Sequence, residues 1–372
     1  MSRPPLLSLT RRLRSTPFTD RVTAAGVTAY TVYNHMLLPA VFESLEADYH
    51  HLRRAVQVWD VSCERQVALQ GPDAARLAQY LTPRDLGRMR PDQCCYTPMV
   101  DQAGCMLNDP VMLRPDDQRW WVSIADSDML LWIAGVAAGM ELDCEVTEPP
   151  VYPLAVQGPR AETLTARVLG EEVRDIRFFR HRRLAFEDTS FVVARSGYSR
   201  QGGFEIYVEG QQYAEALWDA LFAAGGDLEV RAGGPSLIER IEGGLLSYGN
   251  DMTRDNTPLE CGLERFCRGA GASGCIGRHA LVRMLRTGPA RQVRGVLLPG
   301  EPLSACTRPW PVAAGNGDAA GIITSAAWSP RFSATVAIAM IDRAHWQPGT
   351  GIVAATPDGE RHGRITALPF ER

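Results

Sequence analysis

With 372 residues, 45% hydrophobic and 22% charged, the chain has a soluble globular composition and exceeds the usual limit for one core. Its net charge is −4 and it carries no basic stripe or polybasic tail, so nucleic-acid and membrane-surface roles have no electrostatic support. All 39 basic residues are arginine, which excludes Schiff-base chemistry, a pyridoxal-phosphate anchor and a P-loop lysine.

Nine cysteines without a CxxC pair, an odd number in a long chain, point to reduced thiols, mostly buried as small hydrophobes. The seven histidines are scattered with no HExxH and no zinc-like spacing, so no metal is expected. The longest apolar run, Met129–Met140, is too short to cross a bilayer. Arg11, Arg12 and Arg14 have no apolar core behind them, so no signal peptide is read and a cytoplasmic location is expected.

In chain order, residues 1–20 are polar and Pro-containing, an extended lead-in. Gly26–Leu38 is apolar and aromatic, with Tyr30, Tyr33, Asn34 and His35 closely spaced. Asp48–Ala55 is a charged helix and Val56–Leu69 is strand material. Gly71-Pro72-Asp73 opens a helix through Leu81, with Pro early and Asp in the first turn. Residues 92–113 form a hairpin turning at Asp101–Gly104, followed by a strand over Arg119–Ala125 and a helix over Ser127–Gly139. Val151–Pro159 then repeats the strand, Gly-Pro, helix order of Val67–Leu81, a weak internal repeat of one α+β unit. Further on come a strand at Arg183–Phe186 and helices over Ala214–Ala224 and Leu237–Leu246, the last closed by Tyr248-Gly249-Asn250-Asp251. The Gly/Ala/Ser-rich Arg268–Gly277 lies at a plausible boundary, and residues 290–372 become short β segments punctuated by Pro and Gly. That tail reads as a small separate barrel or jelly roll.

Ala194–Gly210 stands apart from these elements. An apolar strand breaks at Ser199-Arg200-Gln201-Gly202-Gly203 and resumes with strict alternation: Phe204, Ile206 and Val208 on one face, Glu205, Tyr207 and Glu209 on the other. Such a hairpin holds a carboxylate and a phenol rigidly beside a Gly-rich gap. Two solvated glutamates on an ordinary amphipathic strand would give the same pattern.

Together, VWDVSCERQVALQGPDA, CCYTPMVDQAGCMLND, LAVQGPRA, SGYSRQGGFEIYV, IEGGLLSYGNDMTRDNTPLECGL and GIITSAAWSPRFSATVAIAMI with a closing ALPF resemble the aminomethyltransferase (glycine cleavage T-protein) superfamily over nearly the whole chain. The resemblance implies an α+β, three-domain cloverleaf around tetrahydrofolate. Residues 1–280 would be two interleaved α+β folate-binding domains, and 281–372 a C-terminal β-barrel domain. It implies Glu205 on the pterin edge, where two carboxylate oxygens meet two adjacent N–H donors. Asp109 would sit near the reactive folate nitrogens, beside Asn108. Tyr96, Tyr198 and Tyr207 would stack on the folate body, and Arg240 falls where relatives carry an arginine near the cleft.

The stretch 24–52 and the wording VQVWDVSCERQV are similar to tetrahydrofolate-dependent members that take a methyl group from a small sulfonium compound. A sulfonium is already activated, so no strong base is needed and positioning can supply ~7–11 kcal/mol. Asp109 would stabilise the charge passing from sulfur to nitrogen or accept the N5 proton; the electrostatic role is preferred. The onium head would sit among aromatic faces, each giving ~0.5–2 kcal/mol. Tyr30, Tyr33 and Trp59 are the candidates, with Phe178 and Phe179 as outsiders. Without lysine, the substrate carboxylate must find Arg, His, an amide or backbone N–H, and Asn34, His35 and Arg65 are nearest in sequence.

The chain departs from the family wording in four places: Arg200-Gln201 replaces an acidic pair, Asn108 an aspartate, Ser62–Gln66 the SHxGK motif, and the stretch 235–242 lacks one arginine. These changes argue against a lipoyl-carried aminomethyl group while leaving the folate cradle intact. A betaine or a methylated amine remains an alternative donor. A non-catalytic iron–sulfur assembly role is disfavoured, because residues 273–279 lack that branch's lysine and Gln-Glu end. The oligomeric state stays open, a homodimer being one option.

Overall fold

The computed structural model describes residues 10–371; of the expected lead-in, residues 1–9 lie outside them. The strand Val56–Asp60 (VQVWD) is buried at every position. It pairs antiparallel with Val151–Gln157 and parallel with Val230–Gly233. Val151–Gln157 pairs in turn with Gly203–Glu209, placing Ala155 opposite Glu205. Thr189–Ala194 and His181–Phe186 complete six strands. The alternation read in Phe204, Ile206 and Val208 directs these three into a core with Val58, Leu154 and Val156. The helices Ala161–Leu169 and Ala214–Ala224 close that core with Leu164, Leu217 and Leu221.

Between Asp60 and Val151 the chain leaves this sheet and builds another of five strands, in the order Glu145–Thr147, Gln66–Gln70, Arg119–Ser123, Val111–Leu113, Cys94–Tyr96. Trp120 and Trp121 are neighbours on one strand and so point to opposite faces. Trp120 packs with the helices Ala74–Leu81 and Met129–Gly139, whereas Trp121 meets the first sheet. There its ring lies 6.0 Å from that of Tyr207, in a contact layer with Ala68, Leu113, Val151, Val192 and Ala194. On the polar-looking face of this strand, Tyr207 is therefore covered by a second sheet and Glu205 is buried, while Glu209 at the strand end stays partly exposed.

The stretch read only as apolar and aromatic is a hairpin, Ala29–Tyr33 against Met36–Val41. Its turn residues Asn34 and His35 have φ of 49° and 64°. That is the backbone of a tight two-residue hairpin turn, in which Asn is well tolerated. The helix expected over 237–246 is capped by Ser236, whose Oγ accepts the Glu239 N–H at 3.3 Å, and ends at Glu242. It stops because Gly243-Gly244 follows, with Gly244 at φ 65°.

Arg291–Thr366 closes into a six-stranded barrel. The strand Trp310–Ala314 is part of it. The strand Ala319–Ser329 is long for a segment expected to be short, and is bent by a bulge between Ile323 and Ser325. Within Ala334–Asp342, residues 336–341 are apolar throughout because both faces are buried: Ala337, Ala339 and Ile341 inside the barrel, Val336 and Ile338 against Ile241 and Phe370.

Candidate functional site

A cavity of about 1650 Å³ opens where the N-terminal hairpin, both sheets, residues 243–250 and the barrel meet. It exceeds the roughly 300–1,000 Å³ typical of drug-sized ligands, leaving room for two reactants together. Among its lining residues are Tyr33, Glu64, Tyr96, Asp109, Phe178, Phe179, Tyr198, Glu205, Arg240 and Phe266.

Glu205 reaches the cavity from the middle of the six-stranded sheet. Its Oε2 accepts from the Ser196 hydroxyl at 2.5 Å and, more weakly, from the Tyr207 hydroxyl at 3.4 Å. Among the described residues nothing donates to Oε1. Burial raises the Glu205 pKa, and the Ser196 and Tyr207 bonds partly offset that. Tyr207 was expected to stack on folate. It is fully buried against Trp121, outside the cavity wall, so its part is to brace Glu205.

Asp109 follows the strand Met106–Asn108. Its Oδ2 accepts the Tyr96 hydroxyl at 2.8 Å, while Oδ1 is buried without a partner. Burial pushes its pKa up to about 7, against a smaller lowering by Tyr96. Asn108 turns the other way, as strand alternation requires, and does not line the cavity. Its amide exchanges bonds with Ala125 (Nδ2 to O 3.0 Å, N to Oδ1 2.9 Å) and donates to Ser127 Oγ at 2.8 Å. The expected folate contact of Asn108 is thus corrected to a lock between hairpin and loop.

Tyr96 and Tyr198 both line the cavity. Tyr96 sets its ring edge-on to Phe266 at 5.5 Å, and Tyr198 Oη bonds the Leu246 and Leu245 carbonyls at 2.7 and 3.1 Å. Arg240 lines the wall too, but its Nη1 is committed to Asp251 Oδ2 at 2.8 Å and its Nη2 to Ser325 Oγ at 2.7 Å. It acts as a joint between helix, loop and barrel.

Of the five residues assigned to the methyl donor, only Tyr33 lines the cavity. Tyr30 lies three positions away on the same strand, hence on the opposite face, and is 38% exposed outside the wall. Trp59 is buried with Met36, Leu38 and Leu52, its Nε1 donating to Gln57 Oε1 at 2.9 Å; it is a core tryptophan. Asn34 and His35 form the hairpin turn. The Asn34 amide donates to the carbonyls of Cys63 (2.9 Å), Ala125 (3.1 Å) and Ile124 (3.3 Å), outside the wall. Arg65 is engaged by Glu148. The outsiders Phe178 and Phe179 do line the cavity, their rings 4.8 Å apart, with Phe178 75% exposed and Phe179 at φ 58°. A bulky residue at positive φ is uncommon and marks a held conformation.

Sequence reasoning missed Ser196, Phe266 and Glu64. Phe266 carries Arg84 and Arg265 over its ring at 4.9 and 4.6 Å. Glu64 sits in the segment noted only as a departure from family wording. Its pKa is raised well above the ordinary carboxyl value, first by burial, then by Glu205 and Asp109. With Asp126, four carboxyl groups thus line one cavity. Among the described residues no group of three His, Cys, Asp or Glu is placed to hold a metal ion.

The fold and this wall define a class. The family model for the GCVT N-terminal domain matches residues 18–270, and that for the glycine cleavage T-protein C-terminal barrel domain matches residues 291–370. The chain belongs to the glycine cleavage T-protein family. It is 58% identical over 351 residues to the dimethylsulfoniopropionate demethylase DmdA of Ruegeria pomeroyi, covering 94% of this chain and 95% of that one. An aminomethyltransferase of Caldanaerobacter subterraneus is 27% identical, covering 85% of this chain and 84% of its own. The crystal structure of glycine cleavage system aminomethyltransferase T from Bartonella henselae matches with a TM-score of 0.86 at 24% identity, over 96% and 98% of the two chains. That last likeness is one of fold.

Proposed function

We propose that this chain is a tetrahydrofolate-dependent demethylase acting on dimethylsulfoniopropionate. The reading rests on the 58% identity to a protein of that name across 94% of the chain. The wall supports it with two carboxylates whose free oxygens meet no protein donor. Tetrahydrofolate, when bound, would supply N5 as the methyl acceptor, leaving 5-methyltetrahydrofolate and methylthiopropionate as products.

The residues present fit such a group. Glu205 Oε1 is the open acceptor for the pterin N–H edge, and Ser196 fixes the carboxylate's rotation through Oε2. Tyr96 and Tyr198 offer flat flanks, each pinned by its hydroxyl. Asp109, its Oδ1 unpartnered, faces the reacting centre and holds negative charge where positive charge develops. Tyr33, Phe178 and Phe179 supply aromatic surface for the donor's methyl groups. Residues 1–280 would carry this cradle and 281–372 close it. All nine cysteines are free thiols, in keeping with a cytoplasmic enzyme of sulfur metabolism with a small-molecule donor.

Product analysis of the purified protein tests the reading. Incubation with tetrahydrofolate and dimethylsulfoniopropionate should give 5-methyltetrahydrofolate and methylthiopropionate one for one, and glycine betaine in parallel should give neither. Folate binding without turnover of the sulfonium would overturn the donor assignment.

A further inference from the structure

Glu64 ends the turn that follows Val56–Asp60, its N–H donating to Val61 O at 2.9 Å. Its neighbours are all tied outward or into the frame. The Cys63 carbonyl takes the Asn34 amide, Arg65 pairs with Glu148, and Gln66 Nε2 donates to the Glu64 carbonyl (2.7 Å) and to Ser123 Oγ (2.9 Å). The backbone of Glu64 is thus fixed on both sides. Its carboxyl group, in the cavity wall, has no hydrogen bond or ion pair among the described residues.

The charged groups near it are of the wrong sign. Glu205 and Asp109 are the two that act on it, and both are acids. Of the nearby arginines, Arg65 has Glu148 and Arg240 has Asp251; Arg84, Arg200, Arg265 and Arg294 also line the cavity. An unpaired carboxylate in such a place is driven towards its neutral form. Glu64 pairs with none of these cations among the described residues, and the proposed reaction brings one to it. Glu205 would meet tetrahydrofolate's N–H edge, Asp109 accepts from Tyr96 and Asp126 accepts the Asn34 N–H at 2.7 Å, so Glu64 is the carboxyl group left over. Tyr33 stands in the same wall and is perturbed electrostatically by Glu64 before any other charged neighbour.

We propose that Glu64, beside Tyr33, receives the positive head of the methyl donor and selects a cationic donor over a neutral molecule of the same shape. The inference rests on the demethylase reading above. Aromatic faces alone attract any onium head weakly; a carboxylate adds an interaction that a neutral analogue cannot make.

The probe pair is dimethylsulfoniopropionate and 4-methylpentanoate, which replaces the sulfonium by a C–H of similar shape. Binding of each is measured by calorimetry without folate, so that nothing turns over. Glu64→Gln is expected to weaken the sulfonium about 10- to 100-fold, about 1.4–2.8 kcal/mol, and to raise its KM more than it lowers kcat. Affinity for 4-methylpentanoate should hold or improve, and tetrahydrofolate should bind within about twofold of the parent, which also checks the fold. Glu64→Asp should recover part of the sulfonium affinity. Equal loss for both probes, or loss of folate instead, would overturn the role of Glu64, as would an unchanged KM and Kd for the sulfonium. If the parent protein binds folate yet neither binds nor demethylates the sulfonium, the donor reading fails, and the inference with it.

Discussion

Asp109 shows how a single side chain at this site trades stability against charge. Its carboxyl is raised from 3.8 to about 7 by burial, so the folded state holds the proton more tightly than the unfolded one. The stability this confers is fully present below about pH 4 and is lost as pH rises through about 7. Replacing the group by its neutral isostere removes that loss. Asp109→Asn should therefore stabilise the ligand-free protein at pH 8 by about 1–4 kcal/mol, the lower end where cavity water screens the charge. The advantage should shrink steadily towards pH 4. Thermal unfolding of parent and variant from pH 4 to 8 measures it, and a pH-independent difference would show that the carboxyl is unperturbed. Activity should move the opposite way, with kcat falling about 10²-fold. Tyr96 donates to the ionised form, so Tyr96→Phe should raise the Asp109 pKa further and shift the acid limb of the rate profile to higher pH.

The N-terminal hairpin shows what a run of residues hides. Tyr30, Tyr33, Asn34 and His35 look like a ligand box in sequence, yet Asn34 and His35 are there to turn the chain. If so, His35→Gly should leave KM and kcat unchanged and add up to about 1 kcal/mol by relieving a left-handed backbone. Asn34→Ala should cost about 1–3 kcal/mol, because buried carbonyls at Cys63, Ile124 and Ala125 lose their donor. Urea unfolding of both variants checks this; a raised KM in His35→Gly would return that residue to the site. The Asn at the turn was a readable signal, weakened because His and not Gly follows it. Strands announced themselves by period, as in Phe204-Glu205-Ile206-Tyr207-Val208. What period cannot report is whether the second face meets water or another sheet, which is why Tyr207 and Trp59 changed roles while Phe178 and Phe179 came into the wall. Glu64 gave no local signal at all. It is one acid in a loop, and its meaning comes from Glu205, 141 positions further on.

At the scale of the whole molecule, the order of elements and the small β tail were legible in the sequence, whereas the joints that aim three bodies at one cavity were not. Asp251 is the clearest joint. It is 2% exposed and gathers Arg240 at 2.8 Å, the Ser247 N–H at 3.0 Å, and the barrel hydroxyls of Thr324 and Ser325 at 2.7 and 2.6 Å. The same segment presents the Leu245 and Leu246 carbonyls that hold Tyr198 over the cavity. One carboxylate therefore ties the barrel, the helix Leu237–Glu242 and the cavity wall together. Removing it strands a buried guanidinium, for which about 3–5 kcal/mol is the usual cost. Asp251→Ala should lose that much stability and, because Tyr198 and Arg240 shift together, bind tetrahydrofolate at least tenfold more weakly. A variant that melts early but keeps full folate affinity, measured well below its own Tm, would mean that the joint serves stability alone. Loss of both would mean that the barrel, which contributes Val293, Arg294 and Pro348 to the cavity rim, is held in place as part of the binding site.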